Sequence, residues 1–181
     1  MQELFIRGLI GNPRQMRLIL QVKDSDPECY LTITIGPAET TAIAVKLQDI
    51  AVSRPLTHDV LNSAIGVCGG TLERIVISGL KDDTFYAKLV LRHNDTTKEI
   101  DCRPSDAIAL AIRTQSPIYA ENAVIEQAGV QADPETGELV PLNRETTDEG
   151  QRPVTEEERK GASAFVDFID TMDIEDPQKS P

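Results

Sequence analysis

Two short segments of this sequence combine arginine, a carboxylate and a helix start, a combination that suits phosphate chemistry. They run Ser53-Arg54-Pro55-Leu56-Thr57-His58-Asp59 and Asp101-Cys102-Arg103-Pro104-Ser105-Asp106. Unpaired backbone N–H groups at a helix N-terminus favour anions, and the planar fork of arginine binds phosphate oxygens in pairs. Arg54 and Arg103 are therefore candidate phosphate ligands.

The remaining polar side chains of these segments could turn phosphate binding into hydrolysis. His58 lies inside the first segment, and an imidazole can accept or donate a proton near neutral pH. A divalent cation such as Mg²⁺ or Mn²⁺ needs only one or two carboxylates besides water and phosphate oxygens. The carboxylates available for it are Glu39, Asp59, Asp101 and Asp106. Spacing alone does not show that they converge.

A purely structural interpretation of the same residues stays open. Asp59 and Asp106 fall in the first turns of predicted helices, where a carboxylate often caps the helix, and each arginine could pair with a neighbouring aspartate. His58 would then be an exposed residue at a helix start. The sequence contains no glycine-rich phosphate loop, HExxH helix, GxSxG turn or paired Cys/His site, which argues against most common enzyme classes.

Periodicity and turn residues predict the elements that must position these groups. Strands are predicted at 4–10, 16–22, 30–35, 72–78, 85–91 and 97–102, with a brief extended segment at 117–119. Helices are predicted at 37–48, 57–67, 104–114 and 122–128. The three strands between 72 and 102 form an antiparallel meander in the simplest topology. The fold class that follows is α+β, one compact domain with a mixed, largely antiparallel sheet and about four helices.

Charge is distributed unevenly along the chain, whose formal net charge is -12. Residues 1–130 carry 13 Lys+Arg against 16 Asp+Glu, a net of -3, and residues 131–181 carry 5 against 14, a net of -9. An acidic protein repels nucleic acid at long range, so any phosphate site must be a local basic patch. The three cysteines show neither a disulfide nor a zinc pattern and suit a reducing compartment. With no apolar run long enough to span a bilayer, we expect a cytoplasmic protein that does not bind membranes.

The composition divides the chain into a domain at 1–130, an acidic flexible linker at 131–154 and an acidic C-terminal segment at 155–181. An amphipathic helix is predicted in the last segment. Its apolar residues recur at helical spacing: Phe165, Phe168, Ile169 and Met172. This helix either docks on the domain or on another subunit, or forms only transiently. The acidic tail either aids solubility or covers a basic groove.

Several segments together resemble the bifunctional nuclease family. They are Ile33-Thr34-Ile35-Gly36-Pro37-Ala38-Glu39, Arg54-Pro55-Leu56-Thr57-His58-Asp59, Phe85-Tyr86-Ala87 and Arg103-Pro104-Ser105-Asp106-Ala107-Ile108-Ala109-Leu110. Their order and spacing also match, and the similarity runs from about residue 16 to 129. Many relatives carry a further small domain after the nuclease-like domain, where this chain has its acidic tail.

The resemblance implies a compact α+β domain that forms a homo-oligomer, as a dimer, and a nuclease that hydrolyses phosphodiester bonds of DNA and RNA with little sequence specificity. If the chain resembles the family in function too, the clustering at the two helix starts predicts His58, Asp59, Ser105 and Asp106 as catalytic residues, with phosphate held by Arg54 and Arg103 and with Glu39 as an addition. A second hypothesis is a non-enzymatic regulatory or interaction module, in which the Arg-Pro segments brace the fold and the tail helix binds a partner. Low basicity and few aromatic residues for base stacking favour it.

Overall fold

A computed structural model of the chain describes residues 1–12, 15–132 and 139–142. Its strands are β1 (Gln2–Asn12), β2 (Gln15–Val22), β3 (Tyr30–Ile35), β4 (Gly70–Lys81), β5 (Thr84–His93), β6 (Thr96–Cys102), β7 (Ile118–Ala120), β8 (Val130–Ala132) and β9 (Leu139–Pro141). Its helices are α1 (Pro37–Leu47), α2 (Thr57–Val67), α3 (Pro104–Thr114) and α4 (Asn122–Ala128). The predicted α+β class with about four helices is confirmed.

The strands form one mixed sheet in the order β6-β5-β4-β7-β1-β2-β3-β8-β9. Two antiparallel meanders, β1-β2-β3 and β4-β5-β6, make up most of it, and the second is the predicted one. The short strand β7 joins the two meanders, because it pairs parallel to β4 and antiparallel to β1. Largely antiparallel pairing is thus confirmed.

The main core lies between the sheet and its helices. Strand β3 shows why: Leu31, Ile33 and Ile35 are buried, while Thr34 between them is exposed, as expected for a strand with one face against the core. Helix α3 packs against β4 and β5, with α1 and α2 on either side of it. Its run of alanines allows this close approach, since small side chains let helices and strands come near one another. The start of α3 is therefore held in a fixed place.

The sheet extends past residue 131, where the linker is predicted to start. Residues of β8 and β9 pair with each other, and Tyr30 of β3 pairs with Val130 of β8. Strand pairing at a sheet edge stabilises short segments that show no strand pattern of their own. The rest of the predicted linker and the predicted C-terminal amphipathic helix lie outside the described residues.

The cysteines differ in their surroundings. Cys29 is buried and Cys102 is half-buried, as expected of small apolar side chains, but Cys68 at the end of α2 is exposed. Burial raises the pKa of the Cys29 thiol. Burial, with the charges of Asp101 and Asp106, raises the pKa of Cys102 to about 11. None of the helices in the described part of the chain is long and apolar enough to cross a membrane.

Candidate active site at the starts of helices α2 and α3

Local residues in the two segments determine where helices α2 and α3 begin. Pro104 occupies the first position of α3, which tolerates proline because its missing N–H has no partner in the helix. At the start of α2, the carboxylate of Asp59 accepts a hydrogen bond from the Leu56 N–H at 2.8 Å. Asp59 therefore does cap its helix, as the structural interpretation expected.

The two segments meet, although about 50 residues separate them along the chain. His58 Nε2 lies 3.3 Å from Asp106 Oδ1. Arg103 donates from Nε to Asp106 Oδ2 at 2.8 Å and from Nη2 to Oδ1 at 3.1 Å, and its Nη1 lies 2.8 Å from Glu39 Oε1. Three helix starts thus contribute to one network, which we call the Arg103 network: Glu39, Arg103, Asp106 and His58.

The members of the Arg103 network differ in their access to solvent. The Arg103 side chain is 67% exposed and that of Asp106 is 32% exposed, while His58 is only 10% exposed. The hydrogen bonds that Arg103 donates to Asp106, the charge of that carboxylate and the further contact with Glu39 raise the pKa of Arg103. Arg103 and Asp106 form the solvent-facing part of the network, where a substrate group could reach them.

The structure contradicts an exposed His58. Its Nε2 faces Asp106, and its Nδ1 is buried with no hydrogen-bond partner among the residues that the structure describes. A proton on Nε2 satisfies the contact with Asp106, a placement assigned from the hydrogen bonding. Neither ring nitrogen faces solvent, so His58 is better placed to hold Asp106 than to exchange protons with a substrate.

A second ion pair joins α2 to the far end of α3. Arg113, with only 4% of its side chain exposed, donates from Nε to Asp59 Oδ1 at 2.7 Å. Its Nη1 donates to the carbonyls of Ala42 in α1 and Ala109 in α3 at 3.1 and 2.8 Å. Arg113 therefore connects helices α1, α2 and α3 through its hydrogen bonds. Sequence reasoning missed it, although an arginine seven positions after Asp106 on an otherwise apolar helix face signals a buried partner.

Asp59 should make stability depend on acid pH. Partial burial acts to raise the pKa of this carboxyl, but hydrogen bonds from the Leu56 amide and the Arg113 guanidinium outweigh it and lower the pKa below its ordinary value of 3.8. Such a carboxyl stabilises the fold above its unfolded-state pKa, and this stabilisation is lost as pH falls through the folded-state pKa. We expect the Asp59→Asn variant to lose less stability than the parent protein between about pH 5 and pH 3, measured by urea denaturation. Equal losses would show that Asp59 contributes no acid sensitivity.

A cavity of about 320 Å³ opens beside the first turn of α2. Its lining combines apolar walls with cations: Val45, Lys46, Asp49, Ile50, Val52, Ser53, Arg54, Pro55, Leu56, Asp59 and Arg113. Lys46 lies 3.5 Å from Asp49. Arg54 has no ion pair within the described ranges, so its charge is free to attract an anion into the cavity. Arg54 thus lines a cavity to which no member of the Arg103 network contributes.

Two other predicted site residues lie elsewhere. Ser105 is 7% exposed among the buried residues at the start of α3, which does not suit a nucleophile for a polymer. Asp101 is exposed on β6, where its strand neighbour is Lys88 of β5. In the described part of the chain, no three His, Cys, Asp or Glu side chains cluster closely enough to hold a metal ion. The predicted set of Glu39, Asp59, Asp101 and Asp106 is therefore not brought together as one ligand set, although Glu39 and Asp106 both contact Arg103.

Comparisons with known proteins identify the family. Residues 18–133 match the model of the bifunctional nuclease domain. An uncharacterized protein of Mycobacterium tuberculosis is 34% identical over 176 residues, which is 97% of this chain and 98% of that relative. Bifunctional nuclease 1 of Oryza sativa subsp. japonica is 24% identical over 137 residues, 69% of this chain and 41% of the plant protein. Bifunctional nuclease 2 of the same plant is 25% identical over 129 residues, 70% of this chain and 39% of that protein.

The match covers more than half of the chain and includes α1, α2 and α3, which carry the Arg103 network. It also reaches Ala132, the last residue of β8, and so agrees with the extent of the sheet past residue 131. The chain spans less than half of the plant nucleases but nearly all of the mycobacterial relative. This protein belongs to the bifunctional nuclease domain family.

Proposed function

We propose that this protein is a nuclease that hydrolyses phosphodiester bonds of DNA and RNA with little sequence specificity, and that the Arg103 network is its reactive site. The names of the plant relatives support the activity. Low sequence specificity fits a site whose cationic groups contact phosphate, which every nucleotide carries.

In the proposed reaction, Arg103 binds a phosphate oxygen and neutralises the charge that develops on it. Asp106 accepts a proton from a water molecule while the water oxygen forms a bond to phosphorus. The bond from phosphorus to the leaving sugar oxygen breaks, and that oxygen takes a proton from solvent. His58 donates its Nε2–H to Asp106 and keeps the carboxylate in position, so it is a positioning residue. No step of this reaction is assigned to a divalent cation; the assay measures how Mg²⁺ and Mn²⁺ change the rate.

One observation carries this proposal: the 3.3 Å contact between His58 and Asp106, which joins the first turns of α2 and α3 beneath a solvent-facing Arg103. It unites an anion-binding cation, a carboxylate and an imidazole at one place. Arg103 must exchange one of its carboxylate contacts for phosphate, and its exposed guanidinium leaves room for that exchange.

The direct test is hydrolysis of labelled single-stranded DNA and RNA by the pure protein, in Mg²⁺, in Mn²⁺ and in chelator. We expect cleavage of both polymers, with loss of cleavage in an Asp106→Asn protein purified in the same way as the contamination control. A rate that is unchanged by this substitution would show that the cleavage does not need the Asp106 carboxylate and would contradict the proposed site.

A second candidate function, a non-enzymatic interaction module, is favoured by one specific observation. Every carboxylate in the first turns of α1, α2 and α3 already has an arginine partner: Glu39 and Asp106 share Arg103, and Asp59 pairs with Arg113. Such pairing also suits residues that only brace the fold. If the protein is stably folded but hydrolyses neither polymer in Mg²⁺, in Mn²⁺ or in chelator, the interaction module is the function that remains.

Arg54 should bind a phosphate next to the reactive one. We expect Arg54→Ala to weaken binding of a single-stranded oligonucleotide about five-fold and to lower the slope of log binding constant against log salt by about 0.7, the value for one lost phosphate contact. Fluorescence anisotropy over a salt series measures both. Arg17→Ala is the matched control, because Arg17 is exposed on β2, on the face of the sheet away from the helices. An equal effect of the two substitutions would mean that only net charge matters.

A further inference from the structure

Helix α2 turns an apolar surface toward solvent. Its inward positions are His58, Asn62 and Ile65, and Ile65 packs against the main core. The opposite side, which we call the α2 outer stripe, consists of Val60, Leu61, Ala64, Val67 and Cys68. Val60 is 57% exposed, Leu61 39% and Val67 89%. Adjacent exposed apolar residues over two helical turns are typical of a surface that another segment covers.

The C-terminal part of this chain contains a sequence that matches the stripe in length and character. Phe165, Phe168, Ile169 and Met172 follow the i, i+3, i+4, i+7 spacing of one apolar helix face. The α2 outer stripe follows nearly the same spacing over the same length, about 10 Å at 1.5 Å per residue. Two faces of this kind can pack along their whole length.

Charge favours the same pairing at one end of the segment. Asp173 follows Met172 and lies at the edge of the apolar helix face, whereas Asp167 and Asp170 fall on the opposite face, toward solvent. On the domain side, Lys46 and Arg54 border the cavity at the start of α2, where Lys46 lies 3.5 Å from Asp49, and Asp59 is already paired with Arg113. Asp173 can therefore approach Arg54, and α2 presents no unpaired carboxylate to the tail.

The chain is long enough for the contact to form within one molecule. Residues 143–164 separate the last described residue from Phe165, and when extended they span up to roughly 70 Å. A domain of this size has a radius of gyration of about 14 Å. A tether of this length gives an effective concentration on the order of millimolar, well above the concentration of a second copy in dilute solution.

We propose that residues 165–172 dock on the α2 outer stripe of their own chain. The docked segment covers Val60, Leu61 and Val67 and brings Asp173 close to Arg54. This interaction does not depend on the proposed nuclease activity, because it rests on the apolar stripe and the sequence of the tail alone.

Photo-crosslinking from Cys68 in the full-length chain tests the contact. Cys68 is the exposed cysteine of the three, while Cys29 is buried and Cys102 half-buried, so a benzophenone maleimide should attach selectively to it. We expect mass spectrometry to find cross-links from position 68 to residues 165–172. A Phe168→Asp substitution in the tail should reduce them at least five-fold without changing the circular dichroism of the domain.

Two controls make the result decisive. Mixing unlabelled and ¹⁵N-labelled chains separates links within a chain from links between chains. A probe at Arg17→Cys in a Cys68→Ser background, on the face of the sheet away from the helices, should give no link to the tail. Tail links within one chain support the proposal. Links between chains, which would indicate that a second copy covers α2, or the absence of tail links from position 68, would overturn it.

Discussion

Replacing Asp106 by asparagine should reduce hydrolysis of single-stranded DNA and RNA about 10²- to 10⁴-fold, the range that general base catalysis typically contributes. The substitution keeps the size of the side chain but removes its capacity to take a proton from water. Initial rates with labelled oligonucleotides measure the effect. Circular dichroism and the urea midpoint show whether the variant remains folded, since the loss of the bidentate contact with Arg103 weakens a mostly exposed pair.

The matched control for Asp106→Asn is Asp82→Asn, at an exposed carboxylate in the turn between β4 and β5. Asp82 has a φ of 48°, a backbone conformation that asparagine tolerates well, so the turn should be preserved. We expect this control to keep full activity. If both variants are equally active, the carboxylate of Asp106 takes no part in the reaction.

Replacing Arg113 by alanine should give the largest loss of stability among the charged residues that the structure describes. The change leaves the Asp59 carboxylate without its partner and removes donors from two carbonyls, those of Ala42 and Ala109. Breaking a buried ion pair on one side costs about 3–5 kcal/mol. Because Asp59 is 34% exposed and keeps part of its hydration, we expect about 2–3 kcal/mol in the free energy of unfolding, measured with urea.

Arg92→Ala is the control for this prediction. Arg92 is 60% exposed and lies 3.6 Å from Glu73, an ion pair at the surface of the sheet. Surface pairs of this kind contribute less than about 1 kcal/mol. If the two substitutions destabilise the protein equally, the contacts of Arg113 with α1 and α2 do not hold the helix starts in place.

Local patterns in the sequence were sufficient for most elements of the fold. The alternation in β3 and the threonine, proline and glycine residues that bound the helices place those elements within a few residues of their positions in the structure. The sheet order was not predictable from such patterns, because β7 lies between β4 and β1 only through contacts between distant parts of the chain. The strands β8 and β9 depend on pairing in the same way.

The candidate site was also predictable only in part from local sequence patterns. Residue types and spacing were enough to identify Arg54 and Arg103 as candidate phosphate ligands and Asp106 as a candidate catalytic carboxylate. They did not predict that His58 is buried, since its burial depends on how α2 crosses α3. The same crossing brings Arg113 to Asp59, a contact between residues that share no local motif.

The central claim is that the first turns of α2 and α3 form one phosphate-binding surface. Titration of the ¹⁵N-labelled protein with a single-stranded phosphorothioate oligonucleotide in chelator tests it most directly, because amide shifts report where the ligand binds whether or not hydrolysis follows. The account predicts that the largest shifts fall at 54–59 and 103–106. Shifts concentrated on the far face of the sheet, around Arg74 and Arg92, would contradict it.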